Sequence, residues 1–110
     1  MHHMRLATEY FQKIANGTKA IECRLWDEKR QQLKAGDEIE FSDTNDEQKK
    51  AKTRIVALHR AASFAELLDQ FPINKFGSES KEQMLAALKK FYSDEEEKKF
   101  GVVGIEVKLI

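Results

Sequence analysis

The stretch Gly17-Thr18-Lys19-Ala20-Ile21-Glu22-Cys23-Arg24-Leu25-Trp26, continued by Asp27-Glu28-Lys29-Arg30, is the one around which the chain is organised. Asn16-Gly17 favours a left-handed turn, so it stops whatever precedes it and lets an extended segment begin. From Ala20 the residues alternate. Ile21, Cys23 and Leu25 fall on one face of a strand, and Glu22, Arg24 and Trp26 on the other. The apolar face is that of an ordinary half-buried strand. The second face spaces a carboxylate, a guanidinium and the only tryptophan about 7 Å apart, neighbour to neighbour. Lys19 stands at its entrance. Such a face is either a salt-bridged, solvated surface or the floor of a site for a planar, hydrogen-bonding ligand.

Outward from this strand, Met4-Arg5-Leu6 reads as a short first strand. Thr8 is placed to cap a helix that carries Phe11 and Ile14 on one face. Asp27 is a good N-cap for a short turn from Glu28 to Leu33, projecting Lys29 and Arg30 beside the polar face. Ala35-Gly36-Asp37 is a turn, and Glu38 to Phe41 alternates as a strand with Ile39 and Phe41 inward. Residues 42–52 read as a polar loop in a hairpin connection, from which Thr53 to Arg60 returns as a strand. Ser63 with Glu66 and Ser80 with Gln83 are capping boxes for two helices. The second of these helices buries Met84, Leu88 and Phe91. Residues 93–99 form a charged turn or short helix. Val103, Ile105, Val107 and Leu109 alternate with polar or small residues as a last strand. The pattern implies one domain over residues 1–110, of α+β class: a small mixed or antiparallel β-barrel of about five strands flanked by helices.

Composition narrows the function. Lys plus Arg and Asp plus Glu number 19 each, a balance that argues against a strong, sequence-blind polyanion binder. A single cysteine excludes an internal disulfide and suits a reducing cytoplasm. No apolar run reaches membrane-spanning length, and no signal-peptide core follows the start. His2, His3 and His59 show no metal-ligand spacing, and no metal or other cofactor is expected. No DNA-specific motif is present, and a monomer or weak dimer is expected.

Several residues combine into a wider pattern. Phe11-x-x-Ile14-x-x-Gly17-x-Lys19 runs into Ile21-Glu22-x-Arg24-Leu25, then Asp27-Glu28-Lys29-Arg30-Gln31, Gly36-Asp37-x-Ile39-x-Phe41 and Phe100-Gly101-Val102-Val103-x-Ile105. Over essentially its whole length the chain resembles the ASCH domain family, relatives of the PUA fold. The resemblance implies a PUA-like barrel with a cleft beside the central strand, lined by Lys19, Glu22 and Arg24, and a role in binding RNA or modified nucleosides. A few small members are similar to amidohydrolases that remove an acyl group from the exocyclic amine of cytidine. In those members a lysine matches Lys19, but a threonine stands where this chain has Glu22.

Each candidate has a plain alternative. Lys19 is a solvated lysine, or a phosphate anchor, nucleophile or base. Glu22 and Arg24 are a mutually neutralising pair, or an acceptor and a donor fork for a base edge or phosphate. A surface pair contributes only about 0–1 kcal/mol, so stability is a weak reason to place them there. Trp26 is a core residue or a stacking platform, and Lys29 and Arg30 are a solvated helix start or phosphate contacts. Cys23 reads as buried and inert, and His59 as a strand residue with a backbone partner. The leading expectation is an RNA- or nucleotide-binding module using Lys19, Glu22, Arg24, Trp26, Lys29 and Arg30. The alternatives are a metal-independent amidohydrolase with Lys19 and Glu22 as its catalytic pair, and a protein-interaction domain.

Overall fold

The closing alternation forms β5 (Val102–Leu109), and β5 lies between β4 (Asp46–Ala61) and β2 (Ile21–Leu25) in a computed structural model that describes residues 1–110. With β1 (His2–Leu6) and β3 (Glu38–Asp43), these strands make one sheet in the order β1-β3-β4-β5-β2. The β1–β3 pair is parallel and the other pairs are antiparallel. The sheet curls into a half-barrel until its two edges meet. There Arg24 of β2 donates from Nη2 to the Arg5 carbonyl of β1, 3.1 Å away. The result is an α+β, PUA-like fold.

Two apolar layers follow from the strand periodicities. Inside the curl, Leu6, Ile39, Phe41, Ile55, Val103 and Ile105 pack on α1 (Thr8–Ala15), which presents Phe11 and Ile14. On the outer face, Ile21, Cys23 and Leu25 pack beneath α2 (Phe64–Leu68) and α3 (Lys81–Lys89), against Leu67, Phe76 and Leu88. The parity read from the sequence therefore holds for β2, with one difference: both of its faces are covered. Glu22 and Arg24 sit on the inner, concave side, opposite Ile105 and Val103 of β5.

The segment 42–52 differs from its reading as a loop. β3 runs to Asp43 and β4 begins at Asp46, so only Thr44-Asn45 turn. Asp43 makes the tight turn possible, because its buried carboxylate accepts from Asn45 N–H at 2.9 Å and from Thr8 Oγ1 at 2.6 Å. Thr8 thus ties α1 to the hairpin instead of capping the helix, whose N-cap position is Ala7. In β4 the register shifts between Ile55 and Ala57, leaving Val56 as an exposed extra residue. This bulge reverses the parity, so Ile55 and Leu58 pack on the same inner layer.

Helix ends follow the cap chemistry in part. Ser63 and Ser80 accept from the third-residue N–H of α2 and α3, but neither box is reciprocal: the Glu66 carboxylate accepts from Ala62 N–H, and Ser80 N–H donates to Ser78 Oγ instead of to Gln83. A full reciprocal box occurs at Ser93 and Glu96, which opens α4 (Asp94–Phe100). Asp27 accepts from Arg30 N–H, but the turn it starts is a single 3₁₀ turn at Arg30–Gln32.

β5 passes closest to the outer layer at Gly104. A Cβ there would stand 3.0 Å from both Ile21 Cγ2 and Leu67 Cδ1. Gly104→Ala is therefore expected to destabilise the protein by about 1–3 kcal/mol through overpacking, read as a lower urea midpoint at unchanged m-value. An unmoved midpoint would show that the layer has slack at this point.

Candidate functional site

The turn at Gly17 (φ +83°) delivers Lys19 to the seam between the sheet edges. Lys19 N–H bonds back to the Lys13 carbonyl of α1 at 2.9 Å, which fixes the entry to β2. The Lys19 side chain is fully buried. Its ammonium donates to the carbonyls of Ile21 at 2.8 Å and Phe76 at 2.7 Å, and lies 3.4 Å from Glu22 Oε1. Two carbonyls accept from it and the Glu22 carboxylate stands beside it as counter-ion, so the buried charge is compensated. The 3₁₀ turn Ile73–Phe76 ends at Gly77 (φ +83°), which closes over the lysine stem. A Cβ on Gly77 would come within 2.9 Å of Lys19 Cδ, so only glycine fits this lid.

Glu22 links two cations. Its Oε2 accepts from Arg24 Nε at 2.8 Å, while its Oε1 faces Lys19. Burial by itself pushes the Glu22 carboxyl up, but the charges of Lys19 and Arg24 together outweigh burial and hold it below the ordinary range. For Arg24 burial works against the charge, and the Glu22 carboxylate reverses that, leaving the guanidinium pushed up. A buried ionic row of this kind is seldom a net source of stability compared with apolar packing.

The row forms the floor of a pocket of about 350 Å³. Leu6, Ala7 and Tyr10 line it on the α1 side, and Met84, Leu88 and Tyr92 line it on the α3 side. Tyr10 and Tyr92 have their phenols pushed up, chiefly by burial. Phe91 does not join the buried stripe of α3, because the helix ends at Lys89. It lies 76% exposed on the pocket wall. The walls are apolar and aromatic, and the charge is concentrated at the floor.

The remaining sequence candidates lie elsewhere. Trp26 follows the strand's end, packs on the inner layer and carries the Arg60 guanidinium 5.0 Å from its ring. The chain then turns at Asp27, whose carbonyl accepts from Gln31 N–H, and this carries Lys29 to open solvent. Arg30 Nη1 is bound to Asp27 Oδ2 at 3.3 Å. None of these three lines the pocket. The Cys23 thiol is buried and pushed up to about 12 by desolvation, which makes it a poor nucleophile. His59 bonds to the Glu106 carboxylate at 2.8 Å, not to backbone, and packs on Phe71. No three His, Cys, Asp or Glu side chains gather as metal ligands, and no helix is long and apolar enough to cross a membrane.

The family model for the ASCH domain matches residues 4–110. The chain belongs to the ASCH domain family. Among solved structures it is similar to a hypothetical protein, PH0355, with 38% identity, 98% of this chain and 97% of that one covered, and a TM-score of 0.86. Protein PF0455 from Pyrococcus furiosus is similar at 36% identity and a TM-score of 0.77, with 99% and 96% covered. An ASCH domain from Lactobacillus crispatus shares the fold at 17% identity and a TM-score of 0.65, with 98% and 79% covered. No curated protein is detectably similar to the chain.

Sequence reasoning missed Tyr10, Gly77, Met84, Phe91 and Tyr92. Gly77 alone carried a signal, as a helix-stop glycine after Pro72 and a short turn. The aromatic residues are brought to the pocket by the packing of α1 and α3, which no local pattern encodes.

The lowered Glu22 carboxyl has a pH signature. The unfolded chain, with an ordinary value near 4.5, binds this proton more readily than the folded one, so stability rises with pH. The contribution is complete above that value and is lost as pH falls through the lower folded value. Glu22→Gln should cost about 3–5 kcal/mol at pH 7, because it leaves two buried cations without their anion. The difference from wild type should shrink as urea titrations are taken toward pH 3. A difference independent of pH would show that the carboxylate charge is not what matters.

Proposed function

We propose that this ASCH domain is a binding module for RNA or a nucleotide-like ligand, with a base-sized planar group entering the pocket over Lys19, Glu22 and Arg24. The observation that carries the reading is the Glu22–Arg24 pair, buried at the floor of a pocket with apolar, aromatic walls. Stability gives little reason to bury such a pair. A planar heterocycle gives a good one, because it offers hydrogen-bonding edges to the floor and ring faces to the walls. Lys19 then acts as a positioning residue that orients Glu22, since carbonyls and the carboxylate already occupy its donors. A lysine so engaged suits the amidohydrolase alternative less well, as that chemistry needs a free amine.

Phe91 supplies a test that spares the fold. Exposed as it is, Phe91→Ala should leave stability within about 0.5 kcal/mol of wild type. It should weaken binding of ribonucleosides or short RNA by about 1–3 kcal/mol if the ring stacks on a base. Calorimetric titration measures the affinity, and an unaltered value would remove this pocket from the binding surface.

The response to salt is a second test. Only Arg5, already paired with Glu47, and Arg24 bring cationic groups to the pocket with donors to spare. Log affinity for single-stranded RNA should then fall against log salt with a slope no steeper than about −1.4, two phosphates at ~0.7 each. A slope of several units would place binding on the wider basic surface.

A further inference from the structure

Three consecutive residues of β2, Glu22, Cys23 and Arg24, line the pocket although their side chains alternate between the two faces of the sheet. Consecutive residues reach one cavity where it abuts the strand's edge. β2 pairs with β5 alone, so its other edge is free.

Register determines which backbone groups point to that edge. Val107 N–H donates to the Ala20 carbonyl at 2.8 Å, and Trp26 N–H donates to the Gly101 carbonyl at 3.0 Å. These bonds bracket the ladder, so the even-numbered residues Glu22 and Arg24 exchange hydrogen bonds with Ile105 and Val103. The N–H and C=O groups of Ile21, Cys23 and Leu25 therefore point away from β5. Ile21 follows this rule, as its carbonyl takes the Lys19 ammonium at the free edge. Across the seam, Leu6 of β1 turns its carbonyl to Thr44 N–H. The Arg5 carbonyl points the other way, where Arg24 Nη2 reaches it. Nothing in the ladder or the loops bonds the N–H or C=O of Cys23.

We infer that the main-chain N–H and C=O of Cys23 are the recognition edge of the pocket, pairing with the adjacent acceptor and donor of a nucleobase's pairing edge. This rests on the functional reading above and names the part of the ligand that is read. An extended residue presents its N–H and C=O side by side and in one plane. The complement is a cis-amide or amidine unit, which each of the four RNA bases carries on its pairing edge. A backbone pair has no rotamer freedom and no charge, so it reads hydrogen-bonding pattern without attracting phosphate, in keeping with a chain of zero formal net charge. Met84, Leu88 and Phe91 cover the ring faces, while Glu22 and Arg24 remain at the ends of the edge. Addition of a peptide strand fits less well, because that mode uses alternate residues over some length. Here the Ile21 carbonyl is already taken, and the Arg24–Arg5 bond crosses the seam.

The full ¹⁵N-labelled chain, titrated with the four ribonucleosides, tests this directly. The tightest-binding nucleoside should move the Cys23 amide proton downfield and slow its exchange with solvent. Its counterpart methylated on the ring nitrogen of the pairing edge should bind about tenfold more weakly, or worse, and leave that amide unmoved. If the methylated nucleoside binds as tightly in the same pocket, the Cys23 inference fails while the binding-module reading stands. If no nucleoside binds, both fail. An extended peptide that shifts Cys23 where nucleosides do not would replace them with strand addition.

Discussion

The buried row Lys19–Glu22–Arg24 is the interaction on which the rest of this structure depends. Each member answers a different part of the fold. Lys19 takes the carbonyl of Phe76 and so holds the 3₁₀ turn against the sheet edge. Arg24 takes the carbonyl of Arg5 and so latches β2 to β1. Glu22 stands between them and makes both buried cations affordable in a low-dielectric site. Removing the central anion would strand two positive charges, whereas removing either end would loosen one wall of the pocket.

The curl of the sheet gives this row its setting. A flat five-stranded sheet would hold β1 and β2 at opposite edges, far out of reach of each other. Twist, the Val56 bulge and the plug of α1 bring the edges together without pairing them. The seam that remains is too wide for a ladder and narrow enough for one arginine to cross. Around it are unpaired backbone groups, charged side chains with fixed partners, and the apolar end of α3. These are the ingredients of a ligand site, and they coincide because the barrel does not close.

Most of the charge lies apart from the candidate site. The charged residues that make up 35% of the chain lie mostly on solvated faces and cancel. The three charged side chains under the pocket are exceptions, as is the Asp43 carboxylate at the hairpin turn, and all are held by directional contacts. A site of this kind selects by shape and hydrogen-bond pattern more than by long-range attraction.

The sequence by itself determined the elements and their faces. Alternation in Ile21–Leu25 and Val103–Val107 set Glu22 and Arg24 on one face and the apolar residues on the other, because a pleated strand has a period of two. Serine caps and the glycine stop placed helix ends to within a residue or two. The resemblance to the ASCH family rested on the same residues. What tertiary structure decided was everything carried by long-range contact. Asp43 shortened a polar loop to a two-residue turn by bonding Thr8, 35 residues away. Phe91 was left exposed because α3 ends at Lys89, and Trp26 was turned into the inner layer, away from the pocket. The lid of Phe76 and Gly77 over Lys19 joins residues 57 apart in the chain. Local periodicity reports which way a side chain faces. What it meets there depends on how the sheet curls and which helix covers it, and that is a property of the packed whole.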